Sequence, residues 1–140
     1  MKPVIEFQIQ QPGKIPTRAT EGSIGWDVYV PWYVHIDPNQ PPRFIPLNIR
    51  SAIPKGFAVI VKEKSGLALK GLCIMAGVMD SDYRGEWGIV VRNVGAKSIE
   101  ILAGGKIAQF ILVKDENPMV VEVTSLDETV RGEGGFGSTG

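Results

Sequence analysis

The chain has 140 residues, 44% of them hydrophobic, which is the size of a single domain able to close one sizeable core. Its 15 Lys plus Arg are cancelled by 15 Asp plus Glu, so no basic excess marks a nucleic-acid-binding surface. The only cysteine, Cys73, excludes an internal disulfide and a Cys-based zinc cluster, and within its apolar run it reads as a small core residue in a reducing compartment.

From Met1-Lys2-Pro3 the chain passes straight into an alternating segment, without a secretory apolar region. No apolar run is long enough to span a bilayer, so a cytoplasmic protein without membrane contact is expected. Residues Val4 to Gln10 place Ile5, Phe7 and Ile9 on one side and Glu6, Gln8 and Gln10 on the other, predicting a half-buried strand that Gln11-Pro12-Gly13 ends. Short apolar segments predict further strands at Trp26 to Val30, Tyr33 to Ile36, Phe44 to Ile49, Phe57 to Lys62, Leu72 to Ala76, Trp87 to Arg92, Ser98 to Ile101, Ile107 to Val113 and Met119 to Val123. Turn formers separate them, among them Asp37-Pro38-Asn39, Pro54-Lys55-Gly56, Gly104-Gly105 and Glu116-Asn117-Pro118. Many short strands punctuated in this way argue for an all-β fold, a sandwich, jelly roll or barrel. A single short helix is expected at Ser65 to Gly71, with Ser65 capping its start and Gly71 ending it. Residues 1–130 read as one β domain and residues 131–140 as a flexible arm.

Between the apolar runs Leu72 to Ala76 and Trp87 to Val91 lies a polar stretch, Gly77-Val78-Met79-Asp80-Ser81-Asp82-Tyr83-Arg84-Gly85-Glu86. The pattern is a β-hairpin whose tip carries more charge than a turn needs. A rigid acidic tip can orient a water, a sugar hydroxyl or a hydrated metal ion; the alternative is a solvated turn with a surface ion pair.

The tail, Arg131 to Gly140, is half glycine and cannot bury enough surface to order itself. A frayed end is its bland reading. A lone Arg, a lone Phe and a Ser-Thr pair among glycines also suit an arm that wraps phosphates: backbone N–H groups for the oxygens, a guanidinium for charge, a ring to lie on a base. The Gly-Lys-[Ser/Thr] of a P-loop is missing.

Five segments together resemble the five motifs of the trimeric deoxyuridine triphosphatases (dUTPases), in order and over nearly the whole chain. They are Ala19 to Val28, Lys64-Ser65-Gly66-Leu67-Ala68, the tip from Gly77 to Glu86, Gly105-Lys106-Ile107-Ala108-Gln109, and the tail from Arg131. The resemblance implies a β-jelly-roll homotrimer that hydrolyses dUTP to dUMP and pyrophosphate with Mg²⁺, each active site being built from three subunits.

By the same resemblance Asp80 is the water-activating carboxylate that also holds the sugar 3′-hydroxyl, a role that in-line attack on the α-phosphorus requires. Tyr83 would lie beneath the deoxyribose and leave no room for a 2′-hydroxyl; otherwise it is an ordinary hairpin aromatic. Uracil would be read by main-chain groups at Gly77 and Met79. Lys64, Ser65 and Gly66 would face phosphates, with Lys64 standing where the family usually has Arg and so lacking the planar fork. Lys106 likewise follows Gly105 where an acidic-Arg pair is usual. Gln109 would contact water and phosphate, or be a polar edge-strand residue. Asp27 would hold waters of the Mg²⁺ shell while triphosphate oxygens bind the ion directly, with no cage of protein ligands. Arg131 would meet the γ-phosphate side, Phe136 the uracil, and Gly137, Ser138 and Thr139 the terminal phosphate, closing as a lid. Asp82 and Glu86 are assigned to structure, and His35, the only histidine, to solvent or a subunit neighbour.

Three other readings compete. A dCTP deaminase shares the fold but would need a glutamate for proton shuttling, and its hairpin lacks the Asp80-Ser81-Asp82-Tyr83-Arg84-Gly85 string. A non-catalytic regulatory protein on the same scaffold is opposed by intact Asp27, Ser65, Asp80, Tyr83 and Phe136. A purely structural jelly roll would have no use for the phosphate-suited residues.

Overall fold

The computed structural model describes residues 1–140. In chain order the elements are β1 (Glu6–Ile9), β2 (Trp26–Tyr29), β3 (Val34–Ile36), β4 (Arg43–Pro46), β5 (Ile49–Ala52), β6 (Phe57–Glu63), α1 (Ser65–Leu69), β7 (Leu72–Met75), β8 (Val78–Met79), β9 (Gly88–Asn93), β10 (Ile99–Ile101) and β11 (Lys106–Lys114). The fold is all-β and jelly-roll-like, and no helix is long and apolar enough to cross a membrane.

The strands form four antiparallel groups, ordered β2-β11-β6-β8, β4-β9-β7, β1-β5 and β10-β3. Their inner faces follow from the period of two: Val59 and Val61 of β6, Ile89 and Val91 of β9, and Ile107, Ala108 and Phe110 of β11 are all buried. These residues belong to one core of 19 buried side chains. Trp87 sits at its centre, edge-on to Phe110 at 5.3 Å and to Phe7 at 5.4 Å. Its indole N–H, which would be costly to bury unpaired, donates to Ser51 Oγ at 2.8 Å.

Three expectations are corrected. The run Phe44 to Ile49 is two strands in different groups: Asn48 turns left-handed at φ 57° and sends β4 to pair with β9 and β5 to pair with β1. Met119 to Val123 forms no strand; Met119 and Val120 stand about 90% exposed with no partner in the chain. The expected hairpin does pair, with Leu72 opposite Asn93 and Met75 opposite Val90, but its distal part is not a simple tip. Ala76 at φ 63° and Gly77 at φ 98° kink the chain out of that sheet, and β8 pairs instead with β6 in the neighbouring one. A side chain at Gly77 would be doubly disfavoured, since its Cβ would lie 2.9 Å from the Val61 carbonyl oxygen.

Candidate functional site

Strand β2 runs through the core, and Asp27 on it is only 2% exposed. An unpaired carboxylate there would cost several kcal/mol. Two ammonium groups compensate it: Lys64 Nζ lies 2.5 Å from Oδ1 and Lys106 Nζ 2.9 Å from Oδ2. Burial alone would push the Asp27 carboxyl up, but the hydrogen bond from Lys64 and the charge of both lysines together outweigh it and hold it below the ordinary value. Asp27 in turn raises the Lys106 ammonium above its ordinary value. Lys106 is off the hydrogen-bonding direction, so Oδ2 has an ion pair without an aligned hydrogen bond and keeps acceptor capacity. The outer sides of both lysines are open to solvent, and two cations against one anion leave the cluster net positive.

Gln109 lies opposite Asp27 in the β11–β2 register. Its Nε2 donates to the Glu63 carbonyl at 2.9 Å, and its Oε1 fills the space a Cβ at Gly25 would need. Gly25 is therefore fixed by contact with Gln109, a reason its place in the sequence did not reveal. α1 begins one residue earlier than a Ser65 cap requires. Lys64 is the N-cap, in extended conformation and without a side-chain cap bond, and Ser65 is exposed in the first turn. Gly66 beside it has open space around it.

The segment 80–86 is braced by its own backbone and side chains. Tyr83 N–H donates to the Asp80 carbonyl at 3.2 Å and Tyr83 Oη to the Glu86 carbonyl at 2.8 Å. Arg84 Nη1 donates to the carbonyls of Ser81 and Tyr83, at 2.7 and 3.2 Å, while Arg50 on β5 reaches the Arg84 carbonyl at 3.1 Å. The Tyr83 ring covers Gly85 so closely that any Cβ there would collide with it. Asp80, exposed, lines an open cleft of about 860 Å³ with Lys55, Phe57, Ala58, Lys114 and Asp115. Arg50, Arg84, Gly25 and Glu63 were not singled out from the sequence; for Glu63 the only signal was the charged Lys62-Glu63-Lys64 that ends an apolar strand.

Distances along β6 separate these groups. Val59 pairs with Met79, so Asp80 lies beside the Ala58 end of β6, whereas Lys64 and Ser65 follow its other end. Six residues at about 3.3 Å each place Asp80 about 20 Å from the Lys64–Ser65 turn of the same chain. The tail stands apart from both. Its hydrogen bonds are local, such as Arg131 Nε to the Gly134 carbonyl at 2.7 Å and Ser138 N–H to the Gly135 carbonyl at 3.1 Å, and Phe136 is fully exposed. Gly137, at φ 91°, gives the arm a left-handed turn after Phe136, and Thr139 is exposed. His35 is remote in the fold, on β3, where its Nε2 lies 2.8 Å from Asp37 Oδ1.

No cluster of three or more His, Cys, Asp or Glu side chains could hold a metal ion. The spare lone pairs of Asp27 Oδ2 suit a water of a hydrated cation, and a single carboxylate flanked by two lysines could serve only a hard ion that brings most of its oxygens and their negative charge with it.

The dUTPase family model matches residues 11–140. A deoxyuridine 5′-triphosphate nucleotidohydrolase of Arabidopsis thaliana is 41% identical in an alignment of 137 positions that covers 95% of this chain and 80% of the relative. The enzyme of that name from Zymomonas mobilis is 45% identical over 129 residues, 89% of this chain and 87% of the relative. A dUTPase mutant of Staphylococcus bacteriophage 80alpha, solved with dUpNHpp, superposes with a TM-score of 0.87 over 98% of both chains at 23% identity, a likeness of fold. A mutant dUTPase of S. aureus phage phi11, described as revealing the coordination of a structural Mg(II) ion, has a TM-score of 0.77 at 21% identity and covers 87% of this chain and 97% of its own.

Proposed function

This chain belongs to the dUTPase family and hydrolyses dUTP to dUMP and pyrophosphate; from that premise we infer how its residues divide the reaction. The Asp80 carboxylate takes a proton from a water behind the α-phosphorus and orients it opposite the pyrophosphate leaving group, and it also holds the sugar 3′-hydroxyl. The bracing of residues 80–86 supports this role, because a base held by backbone bonds needs little reorganisation. Tyr83, locked over Gly85 and hydrogen-bonded through its hydroxyl, forms a flat wall beneath the deoxyribose that excludes a 2′-hydroxyl. Main-chain groups at Gly77 and Met79 read uracil.

Phosphates go to the net-positive cluster: the free face of Ser65 with Gly66, the ammonium of Lys64, and Gln109 beneath them. Asp27, through the lone pairs of Oδ2 that its ion pair with Lys106 leaves free, would hold a water of a Mg²⁺ ion bound mainly by triphosphate oxygens. When bound, the ion supplies charge neutralisation on the polyphosphate. Arg131, Phe136, Gly137, Ser138 and Thr139 close over the nucleotide and exclude water.

The single observation that carries the assembly is the separation of about 20 Å between Asp80 and the Lys64–Ser65 turn. A base behind the α-phosphorus and a serine on the next phosphate must both reach adjacent groups of one nucleotide, so they come from different copies of the chain. The homotrimer has further support in the exposed stretch from Glu116 to Val130, where Met119, Val120, Leu126 and Val130 find no cover in their own chain. Fifteen residues at up to about 3.3 Å each reach up to about 50 Å, enough to carry the tail to a neighbouring subunit. The test of the activity is pyrophosphate release from dUTP, dTTP, dCTP and UTP, with and without Mg²⁺. Release from dUTP alone, lost on chelation, is expected; ammonia release from dCTP, or equal turnover of all four, would contradict it.

A further inference from the structure

Glu63 ends β6 and immediately precedes the Lys64–Ser65 turn. Two bonds hold it from opposite flanks: its carboxylate Oε2 accepts the Ile74 N–H of β7 at 2.8 Å, and its carbonyl accepts Gln109 Nε2 of β11 at 2.9 Å. β7 is strand-paired with β9 alone, and β6 with β11 and β8. The Glu63 carboxylate thus stands where a neighbouring strand's carbonyl would be, on the open edge of β7, and bridges two sheets that make no ladder with each other there. It is also fixed in charge. Backbone N–H groups, that of Ile74 first and its own second, together with the nearby Lys62 ammonium, hold it below the usual carboxylate range.

We propose that Glu63 is a positioning residue for triphosphate binding: by pinning the end of β6 to β7 and β11, it sets where Lys64 and Ser65 present their polar groups. The proposal rests on the dUTPase reading of the site. Lys64 reaches Asp27 at 2.5 Å and Gln109 lies opposite Asp27, so a turn freed at Glu63 would slacken the phosphate cluster as a unit. Asp80 and Tyr83 are held by bonds that do not involve Glu63, and Gly77 and Met79 stay fixed on Val61 and Val59 of β6, so the nucleoside end of the site would be spared.

The experiment compares wild type with Glu63→Ala, Glu63→Asp and Glu63→Gln, each verified as the same folded oligomer, by titration with dUMP and with a nonhydrolysable imido analogue of dUTP. Loss of the hydrogen bond to Ile74 in Glu63→Ala is expected to weaken the analogue about ten-fold while leaving dUMP within about two-fold. Glu63→Asp, one methylene short of Ile74, falls on the same side and serves if the alanine variant does not fold. Glu63→Gln, whose amide oxygen accepts the same N–H, restores analogue binding. Equal weakening of both ligands, unchanged binding in Glu63→Ala and Glu63→Asp, or a glutamine variant as poor as alanine would each overturn the proposal. Wild-type turnover of dUTP is measured alongside, and its absence would refute the dUTPase reading itself.

Discussion

Mixing two inactive variants gives the most demanding test of the shared site. Asp80→Asn removes the proposed base and Ser65→Ala the proposed phosphate-side hydroxyl, and neither variant alone is expected to turn over dUTP at more than a small fraction of the wild-type rate. If each site takes Asp80 from one subunit and Ser65 from another, as the separation of about 20 Å along β6 demands, random 1:1 co-assembly leaves both residues intact in about a quarter of sites. Co-refolded mixtures should therefore recover about a quarter of wild-type pyrophosphate release, whereas the two proteins mixed after assembly recover none until subunits exchange. No recovery after verified co-assembly would refute the argument, because it would mean that one chain supplies both residues to the same nucleotide.

Deleting Arg131 to Gly140 should leave the fold and the oligomer intact, since the tail makes only local bonds, and abolish most turnover; a truncated protein with full activity defeats the lid. Lys64→Met leaves buried Asp27 with Lys106 alone and should cost about 2 kcal/mol in urea unfolding, below the range for breaking a fully buried pair because Lys64 is 30% exposed. The lowered Asp27 carboxyl contributes stability that is present above the ordinary carboxylate value and is lost as pH falls through the folded one. Wild-type stability should thus drop below about pH 4, and the drop should be shallower in Lys64→Met. Gly85→Ala pushes the Tyr83 ring off its seat, and the preference for dUTP over UTP should fall while Asp80-dependent turnover of dUTP survives in part.

Much of the fold was legible where the residues carried their own signal. Val59 and Val61 alternate with less buried neighbours in β6, and Gly104 at φ 80° turns the chain between β10 and β11 as a glycine pair suggests. Illegible features depend on partners distant in sequence. Ala76 holds φ 63° though alanine has no preference for it, because β8 must leave one sheet and join β6 in another. Met119 to Val123 is a short apolar run like a strand's, yet it finds no partner within the chain and stands exposed. The site divides in the same way. Five motifs mark its residues, yet the pairing of Lys64 and Lys106 on Asp27, and the place of Glu63 between β7 and β11, arise only when strands far apart in sequence align.

The most direct measurement asks whether the Asp80 carboxylate does chemistry or only forms a turn. Asp80→Asn keeps the side-chain size and the Asp80 carbonyl that accepts Tyr83 N–H, so the segment should stay braced. Its kcat for dUTP should fall about 10²- to 10⁴-fold, the range for losing a general base, while its Kd for the imido analogue stays within a few-fold of wild type. Turnover within about three-fold of wild type would mean that Asp80 is not the base.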